Sequence, residues 1–129
     1  MIFGIGIDII EVARIESAIK KYNRFLKKIF TEEEIKYCDS KANPAIRYIS
    51  YAQKFAAKEA AAKSFGIGFG KELSFCEIEV KNLNSGKPVI FLSGKADKFC
   101  KKHRISGIDV SLSGTNNYAV AFAIALLNS

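Results

Sequence analysis

The first ten residues alternate in character. Phe3, Ile5, Ile7 and Ile9 fall on one set of positions, and Gly4, Gly6 and Asp8 fall on the other. That period of two predicts a strand over residues 1–10. Its glycine face leaves room for another backbone to approach closely, and Asp8 stands at the end of that face. From Glu11 to about Tyr22 the period lengthens. Val12, Ile15, Ile19 and Tyr22 make the apolar stripe of an amphipathic helix. Thr31-Glu32-Glu33-Glu34 has the capping-box pattern and predicts a short helix ending near Asp39-Ser40. After a loop, Asn43 and Pro44 supply an N-cap and a favoured first position for a long helix. It runs on through an alanine-, lysine- and glutamate-rich stretch of strong helix formers and stops at Gly66.

The second half reads mainly as strands. Residues 75–80 alternate, Asn84-Ser85-Gly86-Lys87 is a hairpin-type turn, and Pro88 to Leu92 is the return strand. Ser93 caps a helix of roughly Gly94 to His103. Strands follow over 108–113 and 118–127. In the last one, Tyr118, Val120, Phe122, Ile124 and Leu126 share a face, and Ala119, Ala121, Ala123 and Ala125 line the other. An all-alanine face suits close packing against an alanine-rich helix. These elements predict one α+β domain over residues 1–129, with an antiparallel sheet packed against the long central helix.

Charge narrows the class of partner. The chain carries a net charge of +7 and a pI near 9.4, which points to an anionic partner: nucleic acid, a phosphorylated small molecule, an acidic protein or a membrane surface. Much of the excess lies just after the first strand. Arg14, Lys20, Lys21, Arg24, Lys27 and Lys28 are interleaved with Phe25, and we read this side as a docking surface. Arg14, Lys21 and Lys28 are seven apart and would line one stripe if the helix ran on. The three cysteines, Cys38, Cys76 and Cys100, form no CxxC, and His103 is the only histidine. That excludes a conventional zinc site and any triad needing another histidine, and it predicts free thiols in a reducing cytosol. Asp8 interrupts the N-terminal apolar run, so no signal peptide is expected. The apolar run at 118–127 is too short to span a bilayer.

Two acids stand out against this background. At ~100° per residue, Ala52, Phe55, Ala56, Glu59 and Lys63 share a face of the central helix. Glu59 therefore lies in an apolar stripe, where an acid must be paired, protonated or bound to a metal. Lys63, one turn on, is the partner expected for it. Asp8, at the end of a glycine face, is the second acid. The glycine-rich turn Gly66 to Gly70 follows a helix instead of opening one, so it is not a P-loop.

Together these motifs carry a resemblance. Gly4-Ile5-Gly6-Ile7-Asp8 with Arg14, and Phe55-Ala56-Ala57-Lys58-Glu59-Ala60 with Lys63 and Gly66, resemble the small phosphopantetheinyl transferases of the holo-acyl-carrier-protein synthase type. Leu73-Ser74-Phe75, Gly86-Lys87-Pro88 and Tyr118-Ala119 extend the likeness nearly end to end. The resemblance implies the 4'-phosphopantetheinyl transferase-like fold. It also implies transfer of phosphopantetheine from coenzyme A to a serine of an acyl carrier protein, in support of fatty acid biosynthesis. Asp8 and Glu59 would hold Mg²⁺, and Asp8, Glu59 and Lys63 would be the catalytic set. The proton acceptor would be Glu59 or a water on the metal. Coenzyme A would meet Lys58, Lys63, Gly66, Gly86, Lys87, Pro88, Ser113 and Thr115. The acidic carrier would dock on Arg14, Lys21, Arg24, Phe25 and Lys28. A cytoplasmic homotrimer with sites between protomers is also implied. One departure is visible: Ser111-Leu112-Ser113-Gly114-Thr115 has glycine where the family usually has a histidine in the coenzyme A site. That bears on the nucleotide contacts and leaves the two acids untouched. The competing reading, a small basic nucleic-acid-binding module, lacks an RNP-like aromatic strand and a GxxG clamp opening a helix.

Overall fold

The computed structural model describes residues 1–128. Ser129, the last residue of the domain expected from the sequence, lies outside them. The chain forms β1 (Ile2–Glu11), α1 (Val12–Lys21), α2 (Phe25–Ile29), α3 (Glu32–Asp39), α4 (Pro44–Phe65), β2 (Ile78–Asn82), β3 (Pro88–Leu92), α5 (Gly94–Lys102), β4 (Ile105–Gly114) and β5 (Tyr118–Leu127). Every strand pairing is antiparallel. A three-stranded sheet has the order β1-β5-β4, and β2 with β3 makes a separate hairpin.

Register carries the argument from sequence to packing. Gly4, Gly6, Asp8 and Ile10 of β1 stand opposite Ala125, Ala123, Ala121 and Ala119 of β5. Those four alanines are fully buried, and α4 lies across this face. The approach is too close for side chains. A Cβ on Gly6 would fall 2.0 Å from the carbonyl oxygen of Ala60, and one on Gly4 would fall 2.1 Å from that of Ser64. The glycine and alanine faces read from the sequence thus meet the alanine-rich helix.

The ends of α4 also follow the sequence. The Asn43 side chain accepts a bond from the Ala45 amide at 2.9 Å, Pro44 opens the helix, and Gly66 closes it in the left-handed region at φ 78°. The capping box of α3 forms, with Thr31 and Glu34 bonding reciprocally at 2.8 and 3.2 Å. The three cysteines are free, and burial pushes the Cys38 and Cys100 thiols up to about 11.

The first helix ends at Lys21, next to the expected Tyr22, and a separate helix, α2, starts at Phe25. The condition for a single basic stripe is thus not met, and Arg14, Lys21 and Lys28 do not line one continuous helix. Three local expectations are corrected. Residues 75–77 form a 3-10 turn instead of the start of a strand, because Ser74 and Glu77 close a capping box there. Strand β4 begins at Ile105, three residues early, after Arg104 reverses the chain at φ 60°. Finally, α4 has no single buried stripe. It is wrapped by the sheet, by α1 and α3 and by the hairpin, so Ser50, Lys54, Lys58 and Ser64 are buried beside its alanines.

The opposite face of the sheet is open. Ile5, Ile7 and Ile9 are 60%, 60% and 63% exposed, and Phe122 and Tyr118 extend the same apolar surface. Among the described residues no helix is long and apolar enough to cross a membrane.

The packing makes a prediction. Gly6→Ala forces a methyl into the Ala60 carbonyl and should cost ~3 kcal/mol or more in urea unfolding, the range of severe overpacking. Gly68→Ala, where nothing lies within 4 Å of the added atom, should shift the midpoint little.

Candidate active site

The register that buries the alanines brings the two acids to one place. Asp8 sits on the α4 side of β1, opposite Ala121. Glu59 and Lys63 lie one turn apart on α4. Lys63 reaches back to β1 and donates to the Ile7 carbonyl at 2.9 Å and to Asp8 Oδ1 at 3.2 Å. The lysine is therefore paired with Asp8, not with Glu59 as its spacing predicts. The two backbones are so close that Lys63 meets the strand before it can fold back along its own helix. Among the described residues Glu59 has no ion-pair partner.

Electrostatics sets the character of Glu59. Burial holds its carboxyl above the usual carboxylate range, the charge of Asp8 pushes it the same way, and Lys63 opposes them. Two acids held near each other at a half-buried position form a place that favours an added cation. Among the described residues no cluster of three or more histidine, cysteine or acidic side chains occurs. Asp8 and Glu59 thus offer two hard oxygen donors, with no cysteine or histidine beside them in the cleft they line.

Asp8 and Glu59 open into a cleft of about 400 Å³ whose walls include Arg14, Ile15, Phe25 and Phe55. Phe25 is held by a stack: its ring lies 6.4 Å from that of Phe55, which lies 5.7 Å from Phe75. Arg14 and Phe25, expected at a docking surface, are thus joined to the acids in one cavity. Phe55 was read from the sequence as a face-mate of Glu59 and as part of the motif that carries the resemblance, without a role in the site. Lys21 and Arg24 are exposed and do not line this cleft. Lys28 lines a different cavity, also of about 400 Å³, with Phe69, Ser74 and Phe75.

The expected coenzyme A residues do not all gather here. Lys87 and Pro88 line a groove of about 490 Å³ between β3 and β4, shared with Ser106 and Asp109. Gly66, Gly86, Ser113 and Thr115 are exposed and line neither that groove nor the acid cleft. The Thr115 hydroxyl already accepts bonds from the amides of Asn117 and Tyr118. Gly114 faces α4, and a Cβ there would lie 2.7 Å from both Gln53 Nε2 and Ile49 Cγ2. The space of the missing histidine is thus partly taken by the helix.

Lys58 is a correction. It is fully buried, and its ammonium pairs with Glu34 at 2.8 Å and donates to the carbonyls of Phe75 at 2.9 Å and Ile78 at 2.7 Å. All three of its protons are engaged, so no nucleotide can reach it. Burial draws its pKa down and Glu34 pushes back. Lys54 is buried likewise and donates to the Val80 carbonyl at 2.8 Å and to Asn82 Oδ1 at 2.7 Å. Helical periodicity gave no signal for either lysine, because lysines in an alanine-rich helix usually face water.

Known proteins are similar to this chain in sequence and fold. A sequence profile of the 4'-phosphopantetheinyl transferase superfamily matches residues 4–123. A holo-(acyl-carrier-protein) synthase of Ruminiclostridium cellulolyticum is 50% identical over 124 residues, covering 95% of this chain and 91% of that one. Among solved structures, an acyl carrier protein synthase of Plasmodium yoelii with ADP bound superposes with a TM-score of 0.87. It is 35% identical, covering 100% of this chain and 98% of that one. A holo-(acyl-carrier-protein) synthase of Bacillus anthracis in complex with CoA (3',5'-ADP) gives 0.82 at 36% identity, covering 99% of each chain. With the β1 and α4 motifs in the register described, and a match over nearly all its length, the chain belongs to the 4'-phosphopantetheinyl transferase superfamily.

Proposed function

We propose that this chain transfers the 4'-phosphopantetheine group of coenzyme A to a serine of an apo acyl carrier protein. The observation that carries the reading is the cleft in which Asp8 and Glu59 share walls with Arg14 and Phe25. Acids suited to a phosphate-bound cation stand beside a basic, aromatic rim suited to an acidic protein. The relatives' names and the coenzyme A complex of the Bacillus anthracis enzyme support it. Fatty acid biosynthesis in the cytoplasm is the setting we assign.

Asp8 and Glu59 fit Mg²⁺, which takes one or two carboxylates and completes its shell with water and phosphate oxygens. Bound there, the ion would neutralise the charge of the coenzyme A pyrophosphate. The chain's own residues do the rest. The carrier serine oxygen forms a bond to the phosphorus nearer the pantetheine. The bond from that phosphorus to the bridging oxygen breaks, and adenosine 3',5'-bisphosphate departs with the electron pair. The serine proton passes to Glu59 directly or through a water. Lys63, already at the Asp8 carboxylate, offers a cation to the developing phosphate charge.

Coenzyme A needs more wall than one protomer provides. The Gly86-Lys87-Pro88 turn, with Ser113 and Thr115, lies outside the acid cleft. We therefore assign these residues to the site of a neighbouring copy in a homotrimer. The exposed apolar face of Ile5, Ile7, Ile9 and Phe122 is the surface for that association, since such patches seldom face water in a monomer.

Three outcomes test the reading. Mixed with apo carrier, coenzyme A and Mg²⁺, the protein should add the mass of one phosphopantetheine to the carrier. Asp8→Ala, Glu59→Ala or excess chelator should abolish that shift while the far-UV spectrum stays unchanged. Full transfer in any of the three would remove the metal assignment.

Arg14→Glu combined with Lys21→Glu should raise the KM for the carrier about tenfold and leave that for coenzyme A nearly unchanged, because exposed charges mainly steer encounter and orientation. Added salt should imitate the defect in the parent, as screening shortens the field to ~8 Å near physiological ionic strength.

Light scattering should give the mass of three chains, and Ile7→Lys should shift it to one. A parent that stays monomeric at all concentrations would end the composite-site reading.

A further inference from the structure

Two buried cations take no part in the transfer step. Lys54 and Lys58 lie one turn apart on α4, on a side away from Lys63, and both reach the hairpin. Lys58 holds the carbonyls of Phe75 and Ile78, and Lys54 holds the carbonyl of Val80. Glu34 of α3 accepts the Val80 amide at 2.7 Å. The main-chain groups that β2 turns away from β3 are thus met by side chains. Burying ammonium groups is costly, and packed apolar side chains would often be as stable. What the lysines add is direction, since their acceptors recur at alternate residues and fit one register of β2.

The link does not end at the strand. Asn82 accepts from Lys54 through Oδ1 and donates from Nδ2 to the Gly86 carbonyl at 3.2 Å. Its orientation is fixed by chemistry, because an ammonium can only donate and a carbonyl can only accept. Gly86 and Lys87 are themselves tied to Leu83, by Gly86 N to Leu83 O at 2.8 Å and Leu83 N to Lys87 O at 2.9 Å. A continuous chain of hydrogen bonds therefore runs from α4 to the tip of the hairpin.

We propose that Lys54, acting through Asn82, is a positioning residue for the Gly86-Lys87-Pro88 turn, so that the helix presenting Glu59 to its own cleft also sets the coenzyme A wall lent to the neighbouring copy. This rests on the reading above that the turn binds coenzyme A. Asn82 is the place to test it, because it is only half-buried and lies beside the turn. Asn82→Ala removes both bonds. Asn82→Asp keeps the acceptor for Lys54 and loses the donor to Gly86.

Both variants should raise amide exchange at Leu83 and Gly86 about fivefold, the size of one lost hydrogen bond, with α4 protection unchanged. Both should raise the KM for coenzyme A by a similar factor and leave the KM for the carrier and kcat within about twofold. Lys54→Met should reproduce these effects, and Lys54→Arg should restore part of them. If Lys54→Met does not fold, the two Asn82 variants decide the matter. Turn amides that exchange as in the parent, or KM values that rise together for both substrates, would overturn the proposal. If the parent fails to bind coenzyme A at all, the functional reading falls, and the exchange measurement still decides whether Lys54 and Asn82 hold the turn.

Discussion

The distance between α4 and the β1-β5 ribbon governs everything else in this molecule. A helix usually rides about 10 Å above a sheet on a layer of side chains. Here the layer is reduced to methyl groups and bare backbone, with Cβ positions at Gly4 and Gly6 that would overlap carbonyl oxygens of the helix. The close seat has a chemical result. It brings Lys63 of the helix within bonding distance of Ile7 and Asp8 of the strand, and among the described residues it leaves Glu59 near Asp8 without an ion-pair partner of its own. The same packing that stabilises the core leaves a half-buried carboxyl at its rim with no ion pair among the described residues.

Much of this was legible in the sequence, because it rests on period and on small residues. The glycine face of β1 and the alanine face of β5 are written in alternation. The limits of α4 are written in Asn43, Pro44 and Gly66. Two acids in apolar or glycine settings were conspicuous against a chain with one histidine. Other features were not legible, for physical reasons. A helix buried on most sides has no stripe to read, so Lys58 was expected at coenzyme A and Lys54 was given no role, although both are buried. The partner of Lys63 depends on tertiary distance, which overrides the helical spacing that favours Glu59. The end of α1 near Tyr22 was read from its apolar stripe, but α2 is only five residues long and too short to show a helical period of its own.

Charge is sorted by depth as well as by sign. The basic residues of α1 and α2 stay in water, where each contributes little alone and the group acts through its summed field. Lys54 and Lys58 are desolvated and held by fixed acceptors, where a cation acts as a structural tie. Lys63 is intermediate, half-exposed and joined to Asp8. Three kinds of lysine thus serve as long-range field, movable contact and rigid strut on elements that adjoin one another.

The lysine contacts to β2 also decide how copies of this chain can meet. The outer edge of a two-stranded sheet normally presents free amides and carbonyls that can recruit a strand from another molecule and start aggregation. On β2 the outward groups of Ile78 and Val80 are already engaged by Lys58, Lys54 and Glu34. Adding a strand there would require breaking a buried ion pair first. That edge is closed to intermolecular β-pairing, and the apolar patch that remains lies on the face of the other sheet. A second molecule therefore cannot extend the hairpin at β2 by adding a strand, and any contact made along that edge has to be made through side chains.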